Sequence, residues 1–286
     1  MATDDQAGMR HLEPLFTDGY LRLRRCRHGL MLYNLNDVYI GSMLDRFGEF
    51  SEDEVSVFRQ FLRPGMTVVE VGANIGSHTV PIAQFVGPSG RVIAFEPQRI
   101  TFQTLCANLA LNRIENVRAY WAALGKEKGD IAVPPLATDA IQNFGGYSLE
   151  KARVGEQVRL ATLDEFDLSH CHLLKIDVEG MEADVLRGGV ETIRRHSPLI
   201  YLENDRREKS PVLIGTLFEL GYRCYWHLPV CVSEANFRNE KEDIPRVYSV
   251  NMICLPRTSR ISLDGATAIS SVDDWHRYGS SSNRQS

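Results

Sequence analysis

Lys175, Asp177 and Glu179 stand two residues apart at the end of the apolar run that begins at Leu173. In an extended strand that spacing turns all three side chains to one side. An ammonium beside two carboxylates suits an in-line displacement by a hydroxyl oxygen. Asp177 or Glu179 can take the proton, and Lys175 can orient the acceptor or keep the carboxylates ionised. Glu203, at the end of the run from Leu199, is expected to join the set. A structural ion pair is the plainer alternative, because a lysine or an acid buried without a partner is costly.

A second constellation follows the β-branched run Thr67-Val68-Val69 and reads Glu70-Val71-Gly72-Ala73-Asn74-Ile75-Gly76. Gly72 permits a tight turn, Asn74 tolerates positive φ, and Gly76 lets the next helix approach closely. A dinucleotide-binding turn would read Gly-x-Gly-x-x-Gly, whereas this one reads Gly-x-x-x-Gly behind an acid. That acid would repel pyrophosphate but suits the ammonium and sulfonium of S-adenosylmethionine. Glu96, ending the next apolar run, stands where an acid accepts hydrogen bonds from both ribose hydroxyls. His78 lies just inside the helix after the loop, where the positive dipole end disfavours imidazolium. A neutral ring there either reaches the acceptor or packs.

The elements that must position these residues alternate. Residues 67–71, 91–95, 117–121, 173–177 and 199–203 read as strands. Helices are predicted through Val80, Ala83 and Val86, through Phe102, Leu105 and Leu109 with a stop at Asn112, over 182–195 without a break, and through Leu213 and Leu217 to Gly221. This alternation implies an α/β fold with a mostly parallel sheet covered on both faces, its ligands beyond the carboxyl ends where strand order reverses. Strands near 222–226 and 247–255 have no helix between them and predict an antiparallel hairpin.

Residues 1–63 read as a lead-in packed on the core, 64–256 as the body, and 257–286, with eight serines in thirty residues, as a disordered tail from which Trp275 and Tyr278 can dock. The 286 residues are 43% hydrophobic and 9% aromatic, which excludes disorder throughout. Thirty-two Lys and Arg against 37 Asp and Glu give a net charge of −5, against general attraction to nucleic acid or anionic lipid. Six scattered cysteines form no Cys-x-x-Cys and no zinc spacing with the eight histidines, so no structural zinc is implied and no metal ligand is assigned, while assistance by a divalent ion is left open. The start lacks a signal-peptide pattern and no apolar run is long enough to span a membrane, so a cytoplasmic protein is expected. Association into a homo-oligomer is left open.

Val-Gly-Ala-Asn-Ile-Gly-Ser-His-Thr (71–79), Phe-Glu-Pro (95–97) and Leu-Lys-Ile-Asp-Val-Glu-Gly-Met-Glu (174–182) resemble the FkbM family of S-adenosylmethionine-dependent methyltransferases. The likeness extends over about residues 29–256, through Asp37-Val38-Tyr39-Ile40-Gly41, Gly48-Glu49-Phe50, Thr162-Leu163-Asp164 and Asn251-Met252-Ile253. It implies a class I methyltransferase fold, a Rossmann-like, doubly wound, seven-stranded sheet with an antiparallel last strand. The implied activity is methyl transfer to a hydroxyl of a sugar or a polyketide-type metabolite. The implied cofactor-binding residues are Glu70, Gly72, Asn74, Gly76, His78, Thr79, Glu96, Pro97 and Asp177. Glu70 stands where many members have Asp, which keeps the charge.

Two other functions compete. Arg22, Arg24, Arg25, Arg27 and His28 form a dense basic cluster, which suits a nucleic-acid 2′-hydroxyl methyltransferase or is simply a solvated face. A non-catalytic scaffold of the same fold is the third possibility. Pro134–Glu150, with Asn143-Phe144-Gly145-Gly146-Tyr147-Ser148, is either an acceptor wall or a long connection. The N-terminal zone and the 228–245 loop are candidates to complete the pocket, and His227 is a further acceptor-side candidate. His170 and His172 are read as structural.

Overall fold

In the computed structural model, which describes residues 13–146, 148–150 and 152–276, three short antiparallel strands precede two helices. They are β1 (Phe16–Asp18), β2 (Leu21–Cys26), β3 (Gly29–Asn34), α1 (Ile40–Arg46) and α2 (Glu52–Phe61). Then follow β4 (Thr67–Val71), α3 (Thr79–Val86), β5 (Arg91–Phe95), α4 (Arg99–Leu111), β6 (Val117–Tyr120), β7 (Ala123–Leu124), β8 (Gly129–Val133) and β9 (Glu156–Ala161). The chain closes with β10 (Leu173–Ile176), α5 (Glu182–Arg187), α6 (Val190–His196), β11 (Leu199–Glu203), α7 (Ser210–Glu219), β12 (Tyr222–His227), β13 (Asn251–Pro256) and β14 (Thr267–Ile269).

The central sheet runs β14-β12-β13-β11-β10-β4-β5-β6. Strands β11, β10, β4, β5 and β6 are mutually parallel, and β13 is antiparallel to both of its neighbours. Order reverses between β4 and β10, so the carboxyl ends of those two strands flank the crevice that doubly wound sheets use for ligands. Period-two alternation covers both faces. Val69, Val71, Leu174, Ile176, Ile200 and Leu202 pack with α5, α6 and α7, whereas Val68, Leu173, Leu199 and Tyr201 pack with α2 and α3.

The lead-in is fixed to the site through α4. Asn108 and Asn112, one helical turn apart, each exchange two hydrogen bonds with the backbone of β3, at Leu32 and Leu30. The Asn108 amide also donates to the Ile75 carbonyl in the glycine loop at 2.8 Å. Two side-chain amides thus stand in for a missing strand at the edge of the meander.

Three expectations are corrected. The sheet has eight strands instead of seven. The eighth, β14, lies in the tail that was expected to be disordered, pairing antiparallel with Cys224–Trp226. Asp274 then closes a turn, accepting from Ser270 N, Ser270 Oγ and Ser271 N, and Trp275 packs edge-on against Trp226 at 5.8 Å. Three residues of Thr-Ala-Ile are too short a run to show period-two patterning. The helix predicted over 182–195 is two helices, because a Cβ on Gly188 would lie 2.0 Å from the Gly125 carbonyl oxygen. The chain breaks where the two backbones touch. Tyr147 and Tyr278, both named above, lie outside the described residues.

Candidate active site

The glycine loop uses up its own donors. The Gly72 and Ala73 amides donate to the Phe95 carbonyl, Asn74 N to Glu96 Oε2, Ile75 N to Asn74 Oδ1 and Gly76 N to the Ala73 carbonyl. No amide of this turn is left to cradle pyrophosphate. Asn74 has φ 49°, the left-handed conformation that asparagine tolerates. Gly72 has φ 83°, and a Cβ there would lie 1.8 Å from the Asp177 carbonyl oxygen, so a glycine is needed for the contact between two strand ends. Glu96 is buried and accepts from Asn74 N at 2.9 Å and Gln98 N at 2.8 Å. Burial raises its carboxyl to about 7, against the pull of those two amides.

A row of polar side chains crosses the sheet beneath α2 and α3. Glu70, Lys175 and Tyr201 are in register on β4, β10 and β11. Lys175 is 2% exposed, with Nζ 3.8 Å from Glu70 Oε1 and 3.4 Å from Asp177 Oδ2. Burial alone would lower its pKa, but Asp177, Glu70 and Glu54 together outweigh that and hold it above its ordinary value. Lys175 is therefore a fixed ammonium and not a base. The fully buried Thr79 hydroxyl donates to Glu70 Oε2 at 2.7 Å. Glu54, from α2, accepts from Ser51 Oγ at 2.7 Å and is raised to about 7 by burial, with Lys175 opposing. The Tyr201 hydroxyl meets His227 Nδ1 at 2.8 Å and accepts from the Asn251 amide at 2.9 Å.

Above this row opens a cavity of about 1240 Å³. Glu96, Pro97, Gln98, Ala122, Leu124 and Val133 line part of it. Asp177, Glu179, Glu203 and Arg206 line another part. Carboxylate oxygens of Asp177, Glu179 and Glu203 all lie within 4.8 Å of one another. Arg206 Nη2 donates to Glu179 Oε2 at 2.5 Å. Burial raises the Glu179 carboxyl to about 8, reinforced by Asp177 and Asp205 and opposed by Arg206. Burial, then Asp177 and Glu179, push Glu203 well above the carboxylate range.

The structure brings Lys175, Asp177, Glu179 and Glu203 together, but not by the extended spacing expected, since β10 ends at Ile176 and Glu179 lies in the turn beyond it with φ 56°. It places Gly72, Asn74, His78, Glu96 and Pro97 on the cavity wall and leaves Glu70, Gly76 and Thr79 off it. Glu70 is fully buried, with Lys175 and Thr79 as its partners. The reason is register: its even-numbered neighbour Val68 faces α2 and α3, and so does Glu70. His78 is buried between Phe50 and Phe58, and burial followed by Lys175 pushes it well below its ordinary pKa, so the ring is neutral. His227 is bound to the Tyr201 hydroxyl and is not among the residues that line the cavity. His172 accepts from Thr67 N at the far end of the sheet.

Pro134, Asn143, Phe144, Gly145, Gly146 and Leu149 do line the cavity, as do Cys231 and the segment from Arg246 to Val250. Sequence reasoning missed Glu54, Arg206, Trp275 and His276, which line it too. Of these, Glu54 left a signal: an acid among Val55, Val57 and Phe58 on the buried side of an amphipathic helix. The basic cluster is largely engaged. Arg24 pairs with Asp45, Arg27 with Glu49 and Glu52, and His28 with Glu52, while Arg22 donates to the Gly19 and Leu21 carbonyls. Among the described residues no helix is long and apolar enough to cross a membrane.

The methyltransferase FkbM domain model matches residues 70–224, more than half of the chain. The chain belongs to the FkbM methyltransferase family. The matched span runs from Glu70 to Cys224 and so includes the glycine loop, Glu96 and all four residues of the polar cluster. Among curated proteins, this FkbM chain is 31% identical over 143 residues to Methyltransferase 1 of Beauveria bassiana, covering 42% of this chain and 57% of that one. It is 29% identical over 154 residues to Methyltransferase sdnD of Sordaria araneosa, covering 42% and 59%. The chain thus spans under three fifths of these relatives. Among solved structures, a methyltransferase FkbM of Methylobacillus flagellatus is 16% identical with a TM-score of 0.46, covering 70% of this chain and 50% of that one. A SAM-dependent methyltransferase of Aquifex aeolicus is 18% identical with a TM-score of 0.39, covering 77% and 95%. Overlap of that degree carries no argument about the site.

Proposed function

We propose that the protein transfers a methyl group from S-adenosylmethionine to a hydroxyl oxygen of a small molecule, a sugar or a polyketide-type metabolite. One cavity of about 1240 Å³ is lined both by a largely apolar strip containing Glu96 and by a cluster of acids, which leaves room for donor and acceptor together. The residues present fit the donor. Pro97, Ala122, Leu124 and Val133 offer apolar surface for a base, and Glu96 offers carboxylate oxygens to ribose. The glycine loop, its amides spent, favours a nucleoside without pyrophosphate.

When bound there, the cofactor supplies an electrophilic methyl whose sulfur leaves as a neutral thioether, so no acid is needed at the leaving group. The protein must align the acceptor and remove one proton. Asp177 is the fitting recipient: it faces the cavity, its side chain is 40% exposed, and Lys175 stands beside it as a permanent cation. Glu179 is tied to Arg206, and Glu203 favours its protonated form.

Calorimetric titration with S-adenosylhomocysteine tests the donor half. Wild type binds, Glu96→Ala loses binding, and NAD does not bind. Transfer of labelled methyl from S-adenosylmethionine to a panel of sugars and polyketide alcohols tests the acceptor half. A folded wild type that binds neither S-adenosylmethionine nor S-adenosylhomocysteine would overturn the assignment.

A further inference from the structure

Asp177 and Glu179 follow β10 and Glu203 ends the adjacent β11, so three carboxylates converge from two neighbouring strands on one side of the cavity. Two cations flank them, Lys175 on Asp177 and Arg206 on Glu179. Glu203 receives neither. Glu203 is partly buried, but its Oε2 is shut off from solvent and accepts no hydrogen bond. A shielded carboxylate oxygen without a donor, on a residue whose carboxylate lies within 4.8 Å of two others, is an incomplete arrangement that a positive charge among the three would complete.

We propose that Asp177, Glu179 and Glu203 bind one divalent, oxygen-preferring cation, Mg²⁺ or Mn²⁺, in the acceptor half of the cavity. All three ligands are carboxylate oxygens, the donor set of hard cations, with no sulfur or imidazole to favour zinc or copper. An Mg²⁺ octahedron with bonds of about 2.1 Å puts neighbouring ligands about 3 Å apart and opposite ones about 4.2 Å apart. Oxygens already within 4.8 Å of one another reach that geometry by small side-chain rotations. Lys175 and Arg206 are then the outer partners that orient two of the ligands. The remaining coordination positions face the cavity and take water or acceptor oxygens. Resting on the hydroxyl-acceptor reading above, this selects a hydroxyl with a second oxygen beside it, such as a sugar diol. The ion site itself does not depend on that reading.

The test uses the full chain after treatment with a chelator, titrated with Mn²⁺ and followed by the loss of the free-ion paramagnetic resonance signal. Wild type binds one Mn²⁺ per chain, and Mg²⁺ displaces it. Glu203→Gln and Asp177→Asn each weaken Mn²⁺ binding by about tenfold or more, whereas Glu208→Gln, at an exposed acid after the cluster, does not. Circular dichroism checks folding. Should Glu203→Gln fail to fold, Asp177→Asn decides, since its side chain is partly exposed. The absence of a stoichiometric site in folded wild type overturns the proposal, and so does unchanged affinity in the folded variants. S-adenosylhomocysteine titrated into the same samples separates the two ideas. Its binding without Mn²⁺ binding sinks the ion site alone, and Mn²⁺ binding without it sinks the donor assignment alone.

Discussion

Lys175 stands directly across the β4–β10 ladder from Glu70, and both side chains are buried. The pair is held from outside by Thr79 and Asp177. Removing one partner of a buried pair leaves the other charged and uncompensated. Lys175→Met is expected to cost about 3–5 kcal/mol in denaturant unfolding. Adding Glu70→Gln restores part of that loss, and a double-mutant cycle measures the coupling.

Gly72→Ala introduces a methyl 1.8 Å from the Asp177 carbonyl oxygen at a residue with φ 83°. Both strain and overlap act against it, so a loss of about 2 kcal/mol or more is expected. Thermal unfolding reads this directly. A variant as stable as wild type would show that the two strand ends are not in contact.

Ligand affinity should depend on pH through Glu96. Its ordinary value of 4.5 is raised to about 7 in the folded protein by burial. Ribose hydroxyls donate to the ionised form, so S-adenosylhomocysteine binding strengthens as pH rises through about 7 and weakens by up to about tenfold per unit below it. The unliganded protein behaves in the opposite sense. A raised carboxyl value means that the fold holds its proton more tightly than the unfolded chain, so this group's stabilisation is lost as pH rises from 4.5 to about 7. Calorimetry at a series of pH values gives a slope for wild type and none for Glu96→Gln.

Asp177→Ala removes the proposed proton acceptor without touching the nucleoside strip. Methyl transfer to a responsive alcohol should fall by about 10²-fold or more, with S-adenosylhomocysteine affinity retained within a few-fold. Near-normal turnover in the labelled-methyl assay would move the role to another group.

The strands 67–71, 91–95 and 199–203 were legible from their β-branched runs and period-two alternation, whereas Asp177 and Glu179 meet Glu203 from a turn, because β10 ends at Ile176 and Glu179 has φ 56°. Alternation does not say which face meets solvent, a helix or a cavity, and the burial of Glu70 against Lys175 and Thr79 was not legible for that reason. Gly72 was read as the residue of a tight turn, and its contact with the Asp177 carbonyl, over a hundred positions away, is one that no local pattern encodes. Arg206 and Trp275 reach the cavity through a loop and a tail whose courses depend on tertiary pairing. The break at Gly188 likewise depends on Gly125, in the connection after β7.

Strand β14 also settles what the sheet offers to other molecules. Without it, β12 would be an outermost strand carrying Tyr222, Cys224, Tyr225 and Trp226 beside a row of open amides and carbonyls. Such a border invites pairing with a second chain and is a route to aggregation. The serine-rich tail therefore acts as a seal along that border, leaving three residues of Thr-Ala-Ile as the new rim, too short to template another strand.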